Sequence, residues 1–134
     1  MFGDIMNPQD FLKGGKVHVW KADFAIIKSK KTYDGAFANI VDKKEITVVI
    51  DQLKYNKDDA VEVEENWKIL TFDMVLPFDL IGFLAFIAKV LAEANISIFV
   101  VSAYSTDHIL IKKENLPIAK KVLEKLGCIV EEHT

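Results

Sequence analysis

The sequence predicts an α+β domain in which two helices pack on one face of a four-stranded antiparallel sheet. Two observations support this fold class. β-Branched and aromatic residues cluster in short runs, and two longer segments repeat apolar residues at helical spacing. The predicted order is β-α-β-β-α-β, with a strand at residues 67–72, a helix at 80–91, strands at 98–101 and 109–111, a helix at 115–126 and a strand at 128–131.

The first predicted helix is the most apolar one in the chain. Its apolar residues recur at helical spacing, and Ile81 and Phe86 add apolar surface outside that stripe. Asp79 is a suitable N-cap, and Asn95 can adopt the left-handed conformation that often ends a helix. Because more than one side is apolar, we expect either the N-terminal half or a second chain to cover this helix.

The second predicted helix is amphipathic and has clear boundary signals. Asn115 is a suitable cap, Pro117 falls in the first turn, and Gly127 follows the end. Its lysines lie toward the C-terminal end, where cations suit the helix dipole. We interpret this lysine cluster as a solvated face.

The N-terminal half is dominated by strands. Residues 17–20 and 24–29 alternate with period two, and residues 36–41 and 45–50 flank Asp42-Lys43-Lys44 in a hairpin-like pattern. No segment of this half has a clear helical stripe.

The sequence divides into a leader, a strand-rich unit and a C-terminal domain. The leader, residues 1–16, is either a short helical segment after Asn7-Pro8 or a loosely held extension. The unit at residues 17–66 ends in a charged, weakly patterned stretch, residues 52–66, which we predict to be a connection. The domain follows at residues 67–134.

The composition excludes several partners. The net charge is −3 and all 17 basic residues are lysine, so neither a basic nucleic-acid footprint nor a bidentate guanidinium site is expected. The longest apolar run, residues 80–88, is too short to span a bilayer. The single cysteine, Cys128, allows no intramolecular disulfide and fits a reducing compartment. We therefore expect a cytoplasmic protein that binds neither nucleic acid nor membrane.

Catalytic and metal motifs are missing from the sequence. His18, His108 and His133 have no metal-ligand spacing, and we interpret His108 as a hydrogen-bonded sheet residue. Cys128 has no flanking nucleophile signature and is interpreted as a small buried hydrophobe. No glycine-rich phosphate loop or nucleophile elbow is present. We expect neither an enzyme nor a metal or cofactor.

Two segments have the chemistry to bind a small polar ligand. Residues 76–82 join a strand to a helix, whose N-terminus offers unpaired N–H groups, and Gly82 would let a ligand approach the backbone. Residues 102–107, SAYSTD, lie between two strands, and Asp107 could pair with an ammonium group. Taken alone, each segment is better explained by ordinary helix capping or a polar β-turn.

These two segments together resemble the tandem ACT-domain proteins. Residues 78–84 have the pattern F-x-L-x-G-x-L, and VLAEANISIFVVSAYSTDHILIKKENL follows. This family is related to the regulatory lobes of aspartate kinases and to the cytosolic arginine sensors of animals. The resemblance covers roughly residues 17–127 and is most specific over residues 78–111.

The resemblance implies a ferredoxin-like βαββαβ ACT unit, preceded by a degenerate, strand-rich ACT-like unit. It implies a regulatory module that binds a free amino acid without catalysis. Separately, the excess apolar surface of the helix at residues 80–91 and the open sheet edges predict a homodimer or higher oligomer. The turn from Asp79 to Gly82 would hold the main-chain groups of the ligand, Asp107 its ammonium or side chain, and Ser102 would line the pocket. The implied ligand-binding residues are Phe78, Asp79, Leu80, Ile81, Gly82, Ser102, Ser105, Thr106 and Asp107.

Some residues depart from the family pattern. Asp79 and Ile81 replace serine or threonine near the carboxylate-binding turn, and Ala103 replaces threonine. An added carboxylate would repel an anionic ligand, so the identity of the ligand cannot be carried over.

The main alternative is a structural protein–protein interaction module without a ligand. Two other classes of protein with the same topology, an RNA-binding domain and an acylphosphatase-like enzyme, are disfavoured. DHILIKK lacks the aromatic pattern of an RNA-recognition motif, and an acylphosphatase-like loop would need an arginine.

Overall fold

The computed structural model describes residues 10, 12–74 and 82–132. Within these ranges the chain forms eight strands, two α-helices and short 3₁₀ turns such as Lys57–Asp59 and Lys113–Asn115. In chain order the elements are β1 (Lys16–Val19), β2 (Phe24–Ser29), β3 (Ala38–Val41), β4 (Ile46–Asp51), β5 (Ala60–Asp73), α1 (Phe83–Glu93), β6 (Phe99–Ser102), β7 (Asp107–Lys112), α2 (Leu116–Lys125) and β8 (Ile129–Glu132). The predicted α+β class is confirmed.

The long strand β5 organises the sheet. Its first part pairs with β2, and its second part lies between β1 and β7. At the crossover, Trp67 pairs with Phe24 on one side and with Lys112 on the other. β1 and β2 therefore follow one another along the same edge of β5, and residues 20–23 make the break between them.

The C-terminal part of the sheet differs from the predicted four antiparallel strands. Its order is β6-β7-β5-β1-β8, so a strand of the N-terminal half is inserted between β5 and β8. β1 and β8 are parallel, with Lys16 opposite Ile129 and Val19 opposite Glu132. The inserted strand supplies Val17 and Val19 to the core beneath the helices. Such a non-local insertion leaves no local sequence signal.

The predicted connection at residues 52–66 is only partly correct, because residues 60–66 belong to β5. Val61 and Val63 remain substantially exposed between charged neighbours, which is why the burial pattern of an ordinary strand is missing. Asn66 has a φ of 66° beside a register shift against β2, typical of a β-bulge. β5 therefore crosses the predicted unit boundary at 66–67, and the division into units remains a prediction.

The helix boundaries agree with the sequence in most respects. α1 begins after Gly82, whereas the predicted cap Asp79 lies outside the described residues. Asn95 has the expected left-handed conformation, with a φ of 61°. Asn115 is the N-cap residue of α2, as predicted, but its side chain makes no capping hydrogen bond and its backbone is already helical.

Both helices pack on one face of the sheet. Phe83, Ile87 and Leu91 of α1 join the main core, and Leu84, Phe86 and Val90 are partly buried against it. Leu12 is fully buried in the same core, so this part of the predicted leader is packed. The N-terminal half covers the other face through Phe24, Val49 and Phe37, which pack near Ile69 and Leu110.

The break between β1 and β2 is held by Lys68. Its Nζ lies 2.7 Å from the carbonyl oxygen of Lys21 and 3.5 Å from those of Trp20 and Ala22. The same Nζ is 2.9 Å from Oδ1 of Asp23, whose Oδ2 lies 2.8 Å from Nζ of Lys113. Lys113 and Lys68 hold the pKa of the Asp23 carboxyl below its usual range, although burial opposes them.

This network predicts acid sensitivity. The folded-state pKa of Asp23 is lowered, so its contribution to stability is fully present above the unfolded pKa of about 3.9 and is lost as pH falls through the folded value. We expect the difference in unfolding free energy between wild type and Asp23→Asn to shrink below about pH 4. Urea unfolding at a series of pH values measures it, and a constant difference would contradict the role of this ion pair.

No helix within the described ranges is long and apolar enough to cross a membrane.

Candidate functional site

The β6–β7 hairpin brings two of the predicted site residues together. Ser102, the last residue of β6, lies opposite Asp107, the first residue of β7. The turn closes through a hydrogen bond from the Ala103 N–H to the Thr106 carbonyl at 2.8 Å. Side chains alternate along a strand, so Asp107 shares a face with Ile109, which is fully buried in the core beneath the helices. Ser102 and Asp107 therefore lie on the helix side of the sheet.

The N-terminus of α1 lies at the same end of this face. Asp107 pairs with Phe72 on its other side, and the Phe72 ring packs edge-to-face on that of Phe83, with centroids 5.6 Å apart. Gly82 directly precedes Phe83. Among the sequence-predicted residues that the structure describes, Gly82, Ser102 and Asp107 are thus gathered at one end of the helical layer.

The backbone at Gly82 leaves room for another group to approach the start of α1 closely. Its φ of 86° falls in the left-handed region, and a Cβ built there would meet no atom within 4 Å. The first intrahelical bond runs from the Phe86 N–H to the Gly82 carbonyl at 2.8 Å. The N–H groups of residues 83–85 have no acceptor within the helix, which leaves a site of positive potential at this end.

Asp107 is the acidic member of this group. Its side chain is half-buried, and no hydrogen bond or ion pair within the described parts of the chain engages its carboxylate. A carboxylate in this state can accept hydrogen bonds from an ammonium group.

The other predicted site residues are placed differently. The Thr106 side chain points to the opposite face, where its Oγ1 is 3.3 Å from Nε2 of His108. Ser105 is exposed in the turn. Phe78, Asp79, Leu80 and Ile81 lie outside the described residues.

His108 is a hydrogen-bonded sheet residue, as the sequence predicts. Its Nδ1 is 2.7 Å from Oγ1 of Thr71, which also accepts a hydrogen bond from Nε1 of Trp20 at 2.8 Å. Burial lowers the pKa of His108, and the charge of Asp107 only partly opposes this effect. The ring is therefore neutral at neutral pH. The described residues contain no cluster able to hold a metal ion.

Cys128 is buried, as the sequence predicts, and burial raises the pKa of its thiol to about 11. The thiol is protonated at neutral pH and is a poor nucleophile.

The family comparison matches the part of the chain that contains this site. Residues 62–125 match the model of the ACT domain family. This stretch of the chain is therefore similar to an ACT domain. The match begins within β5 and includes α1, the β6–β7 hairpin and α2. The match indicates a domain of a regulatory, ligand-binding class.

Solved structures share the fold of this chain over most of its length. An Agobacterium tumefaciens protein has a TM-score of 0.77 at 20% identity, with 90% of this chain and 95% of that chain covered. A Vibrio cholerae protein of unknown function, described as a possible transport protein, has a TM-score of 0.73 at 21% identity, with 89% and 94% covered. The regulatory subunit of aspartate kinase from Thermus thermophilus has a TM-score of 0.60 at 8% identity, with 86% and 98% covered.

These identities show a common fold and no more. None of the curated protein sequences matches this chain significantly.

Proposed function

We propose that this chain is a regulatory module that binds a free amino acid at the end of the helical layer marked by Gly82, Ser102 and Asp107. The observation that carries the proposal is the placement of a half-buried carboxylate, Asp107, beside the strand end that packs on the start of α1. The similarity of residues 62–125 to an ACT domain supports the same class of function.

The chemistry of the site suits the two ends of an α-amino acid. The N–H groups at the start of α1 would receive the carboxylate, because they carry partial positive charge. Asp107 would accept the ammonium group, and the Ser102 hydroxyl would add a neutral hydrogen-bond partner.

A thermal-shift screen of the common amino acids tests the proposal. A ligand present at 100 times its dissociation constant adds about 2.7 kcal/mol to the free energy of unfolding. We expect at least one amino acid to raise Tm in a concentration-dependent way. If none does, the alternative of a structural interaction module without a ligand is favoured.

Gly82 offers a sharper test of where the ligand sits. Gly82→Asn should keep the fold, since asparagine tolerates positive φ and nothing lies within 4 Å of the added Cβ, but its side chain would compete for the N–H groups of α1. We expect loss of the ligand-induced Tm shift with less than ~1 kcal/mol lost in stability. Chemical denaturation and the amino-acid screen measure the two effects.

Gly82→Val tests the effect of backbone strain at the same position, because valine tolerates a positive φ less well than asparagine does. A β-branched residue at a φ of 86° should cost about 1–3 kcal/mol of unfolding free energy. A retained ligand response in Gly82→Asn would place the ligand elsewhere.

We also propose that the chain forms a homodimer. Apolar side chains remain exposed at sheet edges, with Ile40 and Val41 on β3, Val100 on β6 and Ile129 on β8. Exposed strand edges with apolar residues favour pairing with another chain. Light scattering at micromolar concentration should give twice the monomer mass of 15.2 kDa, and a stable monomer would contradict this proposal.

A further inference from the structure

A cavity lies on the face of the sheet that points away from the helices. It has a volume of about 670 Å³, within the range of small-molecule sites. Its lining combines aromatic rings with two residues of opposite charge: Trp20, Phe24, Phe37, His108, Asp51 and Lys54. None of these residues belongs to the site at the start of α1.

The aromatic wall of this cavity is held in place by its own contacts. The Trp20 and Phe37 rings meet edge-to-face with centroids 5.1 Å apart, and Phe37 meets His108 in the same way at 5.0 Å. Nε1 of Trp20 donates to Oγ1 of Thr71 at 2.8 Å, which fixes the indole. Trp20 nevertheless remains 38% exposed, so the cluster is an accessible wall rather than a sealed core.

Two opposite charges lie at the rim of the same cavity. Oδ1 of Asp51 accepts a hydrogen bond from the Leu53 N–H at 2.9 Å, which orients the carboxylate. The Lys54 N–H donates to the Asp51 carbonyl at 2.9 Å, so both residues belong to one tight turn. Within the described parts of the chain, neither side chain forms an ion pair.

We propose that this cavity is a second binding site, for a small zwitterion with an aromatic group. The aromatic group would pack on Trp20 and Phe37, the ammonium group would pair with Asp51, and the carboxylate with Lys54. A purely cationic ligand would be repelled by Lys54, and a purely anionic one by Asp51. The inference rests on this cavity alone and is independent of the function proposed for the start of α1.

Titration with L-phenylalanine tests the proposal, with phenethylamine and 3-phenylpropanoate as analogues that each lack one charge. We expect saturable changes of the backbone amide NMR signals of Ala22, Phe37 and Lys54. Each analogue should bind about tenfold more weakly, since each loses one charge-assisted hydrogen bond. No saturable change at millimolar concentration, or equal affinity for all three compounds, would overturn the proposal.

Variants separate this site from the one at the start of α1. Asp51→Asn keeps the acceptor for the Leu53 N–H and removes the charge, and Lys54→Met removes the other charge at an exposed position. Each should weaken L-phenylalanine binding about tenfold, as judged by the same amide signals. Asp58→Asn, an exposed change outside both sites, should leave those signals and their affinity unchanged. If Asp107→Asn loses the L-phenylalanine-induced changes of the amide signals and Asp51→Asn keeps them, the proposal of a second site is wrong.

Discussion

Lys68→Met is expected to lower the free energy of unfolding by about 2–3 kcal/mol, although the substitution preserves most of the side-chain volume. The Lys68 side chain is only 12% exposed and its ammonium contacts Asp23 and three backbone carbonyls. Removing it leaves the Asp23 carboxylate and those carbonyls short of a donor in a partly buried place. The loss corresponds to a drop in Tm of about 10 °C for a chain of this size, measured by thermal and urea unfolding.

Lys113→Met is the matched control. The hydrogen bond from Lys113 is the largest single cause of the lowered pKa of Asp23, but the Lys113 side chain is 55% exposed and, within the described residues, it contacts no carbonyl of the β1–β2 break. We expect Lys113→Met to lower the free energy of unfolding by less than ~1 kcal/mol, because exposed ion pairs usually contribute no more than this. Equal losses in the two variants would show that the break is held by the ion pair with Asp23 and not by the carbonyl contacts of Lys68.

Local patterns predicted most of the elements. β2, Phe24–Ser29, was predicted with its observed bounds, because it contains a short apolar run between polar segments. Asp42 accepts hydrogen bonds from the N–H groups of Lys44 and Glu45, which confirms the hairpin turn between β3 and β4. Asn95 and Gly127 adopt positive φ where the sequence placed the helix ends.

Non-local pairing could not be predicted in this way. The insertion of β1 between β5 and β8 depends on residues more than a hundred positions apart, such as Lys16 and Ile129. Residues 60–66 were missed because β2 pairs with them through the backbone while their side chains stay mainly exposed. Hydrophobic periodicity reports burial, and it carries little information on an exposed strand.

The part of the candidate site that lies in the β6–β7 hairpin could be predicted, because the short turn determines which residues lie opposite each other. Ser102 and Asp107 flank a short turn, so they were expected to lie together, and they do. The same alternation turns Thr106 toward His108, which a motif alone does not reveal. The cavity lined by Trp20 and Phe37 was missed because its residues come from four separate parts of the sequence that only the fold brings together: Trp20–Phe24, Gly35–Phe37, Asp51–Lys54 and His108.

Asp107→Asn is expected to weaken binding of the cognate amino acid by about 1–2 kcal/mol, or about 5- to 30-fold in Kd. The substitution keeps the shape of the side chain but replaces a charge-assisted hydrogen bond to the ammonium group with a neutral one. The stability of the ligand-free protein should change little, because no partner within the described residues engages the carboxylate. Isothermal titration calorimetry above pH 7, where His108 is neutral, measures the effect without a change in the charge of that neighbour.

Asp58→Asn makes the same chemical change at a distant place and serves as the control. Asp58 is exposed in the turn before β5, whereas Asp107 pairs with Phe72 near the other end of that strand. The Kd of the Asp58→Asn variant for the amino acid should therefore match that of wild type. If Asp107→Asn also keeps the wild-type Kd, the ammonium group is held by another residue and the assignment of Asp107 is wrong. If both variants weaken binding equally, the effect comes from the net charge of the protein, because a contact at Asp107 would distinguish them.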